Sequence, residues 1–428
     1  MSARLIHSAP NPSQLVIGRV LCMPNGEPLQ VLFPADSLLD LTHLERSMGC
    51  ELTPAKPQAN LELTLGDHTV SLGNIAPITS LMDQRLAQQK RLLLSAQQGL
   101  VEIDTPDFQS RLPVCSIQAL AQDIADIHMQ SPGADGLHQK IHHLTGRRVQ
   151  QTLSDTIDLP ALPQSAVDIV RIKLDTDAGL DELADVIERD PSIAAQVVSW
   201  ANSPFYAAPG EVKSVRDAVI RVLGYDMVMN LALGLSLGRV LAPPRYKNRS
   251  LSYWEQSVVV AASMQMLATH IPPLSRPNLG EAYLTGLLHN FGDVLLAHLF
   301  GQLLGQIDRT QAANPHLPSW FIDQHLLGLA REDIGAELLT HWQLPEPICQ
   351  AIRLQHRPGV EPSALGDLLS LCLWHLEQAG LGVGAASPVP DAVYERFQLS
   401  ADSASKVIES LVLQRDSLFS LARTLDAK

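Results

Sequence analysis

The chain has 428 residues, enough for two or three domains that each bury a core of their own. Hydrophobic residues make up 46% of it but aromatic residues only 4%, which favours helices over sheets for most of the mass. The formal net charge of −14, without a block of Lys or Arg, argues against a nucleic-acid-binding surface, so no DNA partner is expected.

The cysteines and the hydrophobic runs indicate a compartment. The five cysteines are odd in number, far apart and without a Cys-x-x-Cys pair, which favours buried thiols in a reducing compartment over disulfides or a zinc site. No apolar run reaches the roughly 18 residues that span a bilayer, and the first residues lack a signal-peptide pattern. We therefore expect a cytoplasmic protein that does not bind membranes.

Short apolar runs in residues 1–115 predict an α+β domain. The runs at 15–23 and 29–33 flank Asn25-Gly26, a sequence typical of a β-hairpin. A helix is predicted over residues 40–48, with Gly49 ending it. Further strands are predicted near residues 78–82, 91–95 and 100–103, so we expect a mixed sheet with few helices.

Four stretches of this first domain carry a resemblance: residues 30–41, 44–52, 74–86 and 98–104. They are similar to the YbaK-type aminoacyl-tRNA deacylase family. Enzymes of that family rely on a strand lysine that binds the tRNA-linked substrate, whereas the corresponding strand here carries Arg19. The planar guanidinium of Arg places its charge differently from the ammonium of Lys. The resemblance therefore implies a YbaK-like fold in which the deacylase position is degenerate.

Residues 116–157 are predicted to connect two domains. Ile and Leu residues at helical spacing predict a helix over 116–129, and the Gly- and Pro-containing stretch 131–136 predicts a turn or flexible loop. A second helix is predicted over 137–153. Its surface carries three histidines without a carboxylate or thiol nearby, which indicates a solvated face rather than a metal site: His138, His142 and His143.

Residues 158–428 predict a domain built of helices. Helices are predicted over 180–189, from the capping residue Asp190 to Asn202, and from Ser214 to Gly224. The stretch 227–237 is almost wholly apolar, so it is expected at the centre of a bundle. Periodic apolar residues also predict helices in the tail.

Six motifs of this domain resemble one family in their order and spacing: residues 159–163, 188–194, 200–206, 215–224, 284–292 and 341–348. The resemblance is to the HDOD (HD-related output domain) family, with a core over residues 158–360. It implies an all-α bundle related to the HD phosphohydrolases, in which a buried His-Asp pair and further His and Asp residues hold metal. It also implies a role in bacterial signal transduction.

The positions at which this resemblance implies metal ligands are changed. Asn stands beside the His of the His-Asp pair, Gln and Arg replace two histidines, a Gln-His pair replaces a His pair, and no carboxylate stands near residues 369–375. Neutral amides do not offset the desolvation of a divalent cation, and an Arg opposes its charge. We therefore expect a degenerate site without metal or cofactor, formed by Gln256, His289, Asn290, Arg331, Gln355 and His356.

Two further expectations concern this site. His289 is predicted to be a buried structural histidine, hydrogen-bonded to Asn290 or to a backbone carbonyl. The Arg, Gln, Asn and His side chains also suit an anion, so a phosphate-bearing nucleotide is a candidate ligand.

One main hypothesis and two alternatives follow. The main hypothesis is a non-catalytic signalling protein whose HDOD bundle binds other signalling proteins, with the YbaK-like domain as its sensor or docking part. The first alternative is an aminoacyl-tRNA editing enzyme, although the acidic charge argues against tRNA, which needs a basic footprint. The second alternative is a phosphodiesterase that retains a metal.

Overall fold

The computed structural model describes residues 3–6, 11–65, 68–96, 99–127, 161–174, 178–240, 242–245, 249–301, 303–382 and 385–426. The chain divides into two compact units, one made of residues 1–130 and 305–317 and the other of residues 131–304 and 318–428. The first unit therefore continues past the predicted boundary at residue 115. It also includes a segment that the sequence analysis assigned to the second domain.

The first unit is α+β with a mixed sheet, as predicted. Its main sheet joins five strands in the order Cys115–Gln118 (β11), Ser80–Asp83 (β8), Pro28–Pro34 (β3), Val16–Cys22 (β2) and Thr53–Ala55 (β5). β2 runs antiparallel to β3, whereas β3, β8 and β11 are parallel. A second sheet has the order β1-β10-β9, and β6-β7 and β4-β12 form separate pairs. The strands are β1 (Ala3–Ile6), β2 (Val16–Cys22), β3 (Pro28–Pro34), β4 (Ser37–Leu39), β5 (Thr53–Ala55), β6 (Glu62–Leu65), β7 (His68–Ser71), β8 (Ser80–Asp83), β9 (Arg91–Ala96), β10 (Gly99–Asp104), β11 (Cys115–Gln118) and β12 (Ala121–Asp123).

The predicted hairpin and the predicted first helix are both present. β2 pairs with β3 across a turn in which Gly26 has φ +84°, a conformation that favours glycine. The helices of this part are α1 (Leu41–Met48), α2 (Gln84–Gln88) and α3 (Thr105–Ser110). Asp40 caps α1 by accepting a hydrogen bond from the His43 amide at 2.9 Å, and Gly49 ends it with φ 69°.

Alternate residues of β3 face two separate cores. Leu32 belongs to a cluster with residues of β6, β7, β9 and β10, whereas Val31 and Phe33 pack with Leu41 and Leu44 of α1. Because side chains alternate along a strand, one sheet covered on both faces explains why β3 is apolar throughout rather than alternating.

The predicted helix over residues 116–129 is wrong. Residues 115–118 form β11, which pairs with β8, and residues 121–123 form β12, which pairs with β4, before a 3-10 turn at Ile124–Asp126. Ile117 is exposed and Leu120 is buried, so the apolar residues do not form one stripe. Strand pairing with β8 and β4 satisfies the backbone here and overrides the helical spacing. The loop 131–136 and His138, His142 and His143 lie outside the described residues.

A segment from late in the sequence completes the first unit. The side chain of Asn314 is fully buried; it accepts a hydrogen bond from the Leu39 amide at 2.8 Å and donates one to the Leu39 carbonyl at 3.1 Å. The Nε2 atom of His316 donates to the Ser37 carbonyl at 2.9 Å. Asn314 therefore pairs with the backbone of β4 as a strand residue would, while Ala313 joins the core beside α1.

In the described residues of the second unit, every regular element is a helix. The predicted helices over 180–189, 190–202 and 227–237 are confirmed, and residues 227–237 are all buried. The helices, with the one that leads into the first unit, are α4 (Gln164–Leu174), α5 (Leu180–Glu188), α6 (Pro191–Ala201), α7 (Val215–Ala218, continued by a π-helical turn at Val219–Leu223), α8 (Tyr225–Leu237), α9 (Tyr253–His270), α10 (Leu279–Leu288), α11 (Phe291–Phe300), α12 (Leu304–Ala313), α13 (Ser319–Leu327), α14 (Arg331–His341), α15 (Glu346–Leu354), α16 (Ala364–Gln378), α17 (Asp391–Phe397), α18 (Ala401–Val412) and α19 (Arg415–Asp426).

Glycines allow three helices to meet closely around the junction of α10 and α11. A Cβ atom on Gly286 of α10 would lie 2.5 Å from the Cα atom of Ala261 of α9. A Cβ atom on Gly292 of α11 would collide with the Arg331 carbonyl oxygen at the start of α14. Both positions therefore require glycine, and the close packing brings the side chains of α9, α11 and α14 together.

We predict that Asn314→Ala exposes the Leu39 amide to exchange. The substitution removes the acceptor of that amide and the donor to its carbonyl, and an unpaired buried polar group costs about 1–3 kcal/mol. Hydrogen exchange of the peptide over residues 37–41, followed by mass spectrometry, should become markedly faster. Gln306→Ala is the control, since Gln306 makes a half-buried bond to Thr42 and should leave this peptide unchanged. Equal protection in both variants would contradict the assignment.

Candidate functional site

The six residues singled out in the second domain line one cavity. It encloses about 40 Å³, and lies among α9, the α10–α11 junction, the start of α14 and the end of α15. A volume of this size holds about two or three water molecules. Arg19 belongs to β2 of the first unit instead. The six are Gln256, His289, Asn290, Arg331, Gln355 and His356.

His289 is a buried neutral histidine with both ring nitrogens engaged. Its Nδ1 atom lies 2.6 Å from the Gly286 carbonyl, which can only accept, so Nδ1 carries the proton. Its Nε2 atom is therefore an acceptor, and the amide of Gln256 lies 3.2 Å from it. Burial lowers the pKa of His289 to about 4. The partner is a backbone carbonyl, one of the two that the sequence analysis proposed.

The amide of Asn290 is committed to α9. Its Oδ1 atom accepts a hydrogen bond from the Ser257 hydroxyl at 2.9 Å, and its Nδ2 atom donates to the Tyr253 carbonyl at 3.2 Å. The Ser257 hydroxyl oxygen also lies 3.0 Å from the Tyr253 carbonyl. Asn290 is thus a structural link between the start of α11 and α9, and its donor is essential because the carbonyl cannot pair with a carboxylate.

Arg331 is held between two buried carboxylates. Its Nη1 atom donates to Asp293 at 2.5 Å, while Nε and Nη2 both donate to Asp323, the latter at 2.7 Å. Arg249 donates to the second oxygen of Asp293 at 2.7 Å. The exposed fractions of Asp293, Asp323 and Arg331 are 1%, 0% and 5%, so the cluster lies in the protein interior.

Burial and ion pairing act in opposite directions on these carboxylates. Burial disfavours the charged form of Asp293, yet the guanidinium groups of Arg249 and Arg331 lower its pKa below the ordinary value. Burial dominates at Asp323 and raises its pKa even beside Arg331. Asp293 therefore holds the more firmly fixed negative charge of the two.

Sequence reasoning missed Asp293, Asp323 and Arg249. A usable signal existed for Asp293, which stands three residues after Asn290 at the first turn of α11. Asp323 follows Phe321 and Ile322, and a carboxylate within such an apolar stretch signals a buried ion pair. Nothing in the spacing linked either residue to Arg331.

Gln355 and His356 occupy the end of α15 on another wall of the cavity. The Gln355 amide donates to the His289 carbonyl at 3.1 Å. The Nε2 atom of His356 lies 3.2 Å from Glu332, a residue of α14. Burial opposes ionisation of Glu332, but the hydrogen bond and charge of His356 lower its pKa. Glu332 is therefore an ionised group of the cavity.

The donor set of this cavity does not fit a metal ion. Among the residues that the structure describes, no group of three or more His, Cys, Asp or Glu side chains is arranged to hold one. The carboxylates of Asp293 and Asp323 face Arg331, and the free lone pair of His289 faces Gln256. A divalent cation here would find Asp293 and Asp323 already paired with Arg331 and Glu332 bonded to His356, and it would meet a fixed guanidinium charge.

Comparison with known proteins identifies the helical part. The HDOD domain family matches residues 159–358. A protein of Marinobacter aquaeolei VT8, provisionally named as a signal transduction protein, has 32% identity and a TM-score of 0.85, with 99% of this chain and 96% of that chain covered. An uncharacterised protein of Treponema pallidum (strain Nichols) is 26% identical over 224 residues. That match covers 52% of this chain and 42% of the relative, so the chain spans less than half of its length.

Two more distant structures share the fold alone. An HDOD domain protein of unknown function from Geobacter sulfurreducens has 23% identity and a TM-score of 0.52, covering 68% of this chain and 98% of its own. A protein of Shewanella amazonensis SB2B, provisionally named as a phosphohydrolase, has 20% identity and a TM-score of 0.50, covering 67% and 99%. The helical unit is thus related in fold to HD phosphohydrolases. Among the described residues, none of the helices has the length and apolar character needed to cross a membrane.

We predict that Asn290→Asp destabilises the second unit. The new carboxylate would face the Tyr253 carbonyl without a donor, which costs about 2 kcal/mol. All five tryptophans (Trp200, Trp254, Trp320, Trp342 and Trp374) lie in the second unit, so their fluorescence during urea unfolding reports this loss as a lower midpoint.

The pH dependence of this loss is an internal control. The carbonyl raises the folded-state pKa of the introduced Asp above its unfolded value, because only the protonated acid can donate. The loss of stability of Asn290→Asp relative to the natural protein should therefore be fully present at high pH and shrink as the pH falls through that raised pKa. An unchanged midpoint at every pH would contradict the assigned role of Asn290.

Proposed function

We propose that the chain, whose residues 159–358 match the HDOD domain family, acts in signal transduction through its helical unit, as a non-catalytic scaffold that binds other signalling proteins. A role in signal transduction is supported by the Marinobacter relative, which is provisionally named as a signal transduction protein and is 32% identical over nearly the whole chain. A fold shared with phosphohydrolases does not carry their chemistry with it, so the argument rests on the site.

The placement of Arg331 carries the proposal. Its guanidinium is bound by both Asp293 and Asp323, so a fixed cation already uses the carboxylates nearest the cavity. Removing it would leave two buried negative charges without a cation, so loss of the Arg is costly. A catalytic metal needs those negative charges for itself, and it would add a second cation beside the first.

The neighbouring residues support the same reading. The Nε2 lone pair of His289 is the natural metal-binding atom of that ring, but the Gln256 amide lies against it. Asn290 supplies a neutral amide whose oxygen is bonded to Ser257. The side-chain amides of Gln256, Asn290 and Gln355 thus meet acceptors within the protein, which is the hydrogen-bond pattern of a structural core.

The first unit is proposed as the sensor or docking part, without deacylase chemistry. Its resemblance to the YbaK family places Arg19 where a lysine is expected, and partial burial lowers the pKa of this Arg to about 10. Gly18 beside it lies so close to the Asn74 carbonyl that any side chain would collide with it. Neither the partial burial of Arg19 nor the net charge of −14 favours a broad, exposed basic surface for tRNA.

Metal analysis and a hydrolysis assay test the proposal together. The purified untagged protein and its His289→Ala variant should both contain well below one equivalent of Mn, Fe or Zn, because the nearby carboxylates are already paired with Arg331 and His356. Neither should release nitrophenol from bis(p-nitrophenyl) phosphate when Mn²⁺ is added. A stoichiometric metal in the natural protein that is lost in His289→Ala, with metal-dependent release of nitrophenol, would overturn the non-catalytic assignment.

A further inference from the structure

The hydrogen-bond donors around the cavity are already in use. The three donor nitrogens of Arg331 meet Asp293 and Asp323, and the amide of Asn290 meets the Tyr253 carbonyl. The amides of Gln256 and Gln355 meet atoms of His289. An anion entering the cavity would have to displace these bonds, so the cavity is poorly suited to the phosphate group that its residue types suggest.

Two buried side-chain atoms in the same cavity have no hydrogen-bond partner among the described residues. Among the described residues that line it, the buried side-chain atoms without a hydrogen bond are Oε2 of Glu332 and Nδ1 of His356. Glu332 is only 5% exposed, and its other oxygen already accepts from Nε2 of His356. A carboxylate oxygen can only accept, so Oε2 of Glu332 needs a donor that the described residues do not supply.

A buried carboxylate oxygen without a donor is costly, and a cationic donor satisfies it best. We propose that the cavity binds a primary ammonium group, with Glu332 as its anionic acceptor. The volume of about 40 Å³ fits an ammonium head, which is close to water in size. Leu373, Leu376 and Leu381 line another part of the cavity and provide an apolar wall for an alkyl stem.

This ligand class deepens the proposed function and rests on it, because a metal ion in the cavity would compete for Glu332 and His356. The charge of the proposed ligand is also opposite to that of the anion expected from the sequence. Arg331 indicates an anion when it is counted alone, whereas the structure pairs it with Asp293 and Asp323 and leaves Glu332 as the unsatisfied group. The ligand expected is therefore a small alkylammonium compound rather than a nucleotide.

Isothermal titration calorimetry with n-butylammonium chloride tests the proposal, at constant ionic strength against potassium chloride. The natural protein should bind one equivalent, and Glu332→Gln should bind at least about tenfold more weakly because the charge-assisted hydrogen bond is lost. Asp333→Asn is the matched control, since Asp333 is the next residue of α14 but does not line the cavity. It should bind as the natural protein does.

A second variant keeps the test decisive if Glu332→Gln does not fold. Leu373→Trp enlarges a half-buried residue of the apolar wall without touching a buried charge, and it should abolish binding by filling the cavity. Binding that persists in Leu373→Trp or in a folded Glu332→Gln would overturn the proposal. So would the absence of binding by the natural protein, which would leave water as the occupant.

Two further titrations separate this inference from the proposed function. Sodium phosphate and MnCl₂ should each give no binding heat with the natural protein. Phosphate binding would overturn the ammonium assignment in favour of an anion, with the non-catalytic role intact. Mn²⁺ binding that Glu332→Gln abolishes would overturn both, whereas absence of binding with all three probes would overturn the ammonium assignment alone.

Discussion

The second unit depends on one buried guanidinium. Arg331 stands at the first position of α14 and bridges Asp293 of α11 to Asp323 of α13, so three helices meet at a single charge cluster. The backbone around it is equally constrained, because Gly292 lies directly against the Arg331 carbonyl. Ion pairs this deeply buried gain little over apolar packing, but each partner is costly to lose once the others are present.

The same cluster supports the proposal that this helical bundle acts without hydrolase chemistry. The side chains of His289, Asn290 and His356 still converge on one cavity. Their polar atoms, however, are bonded to Gln256, Ser257 and Glu332 rather than arranged around a common point. In the proposed scaffold role these hydrogen bonds take the place of a metal, and they leave Oε2 of Glu332 without a partner among the described residues. This change follows from a few side chains on an otherwise conventional helical scaffold.

The sequence predicted the parts of this picture that depend on local pattern. Asn25-Gly26, the Asp40 and Asp190 caps and the apolar stretch 227–237 each specify their element within a few residues, and the structure has all of them. The resemblance to the HDOD family also pointed to six residues that line one cavity. Sequence reasoning failed where tertiary contacts determine the structure. Residues 116–129 have helical spacing but join strands β8 and β4, and the pairing of Arg331 with Asp323 depends on how α13 and α14 fold together.

Residues 305–317 show the same limit at the level of domains. Their sequence lies inside the range that matches the HDOD family, yet they belong to the first unit, where Asn314 pairs with the backbone of Leu39. The sequence does not indicate that this segment joins the first unit, because an Asn before Pro315 is typical of a turn. The segment starts after α11, which carries Asp293, and ends before α13, which carries Asp323. The chain itself therefore connects the first unit to both carboxylates that hold Arg331.

The most direct test of this account is the stability of Arg331→Met, measured by urea unfolding with tryptophan fluorescence. The free energy of unfolding of the second unit should fall by about 3–5 kcal/mol, because the substitution leaves two buried carboxylates without their cation. Arg353→Met is the reference, since Arg353 is half-exposed and lies 3.6 Å from Glu337, and its loss should cost at most about 1 kcal/mol. Equal, small losses in the two variants would contradict the central role of the Arg331 cluster.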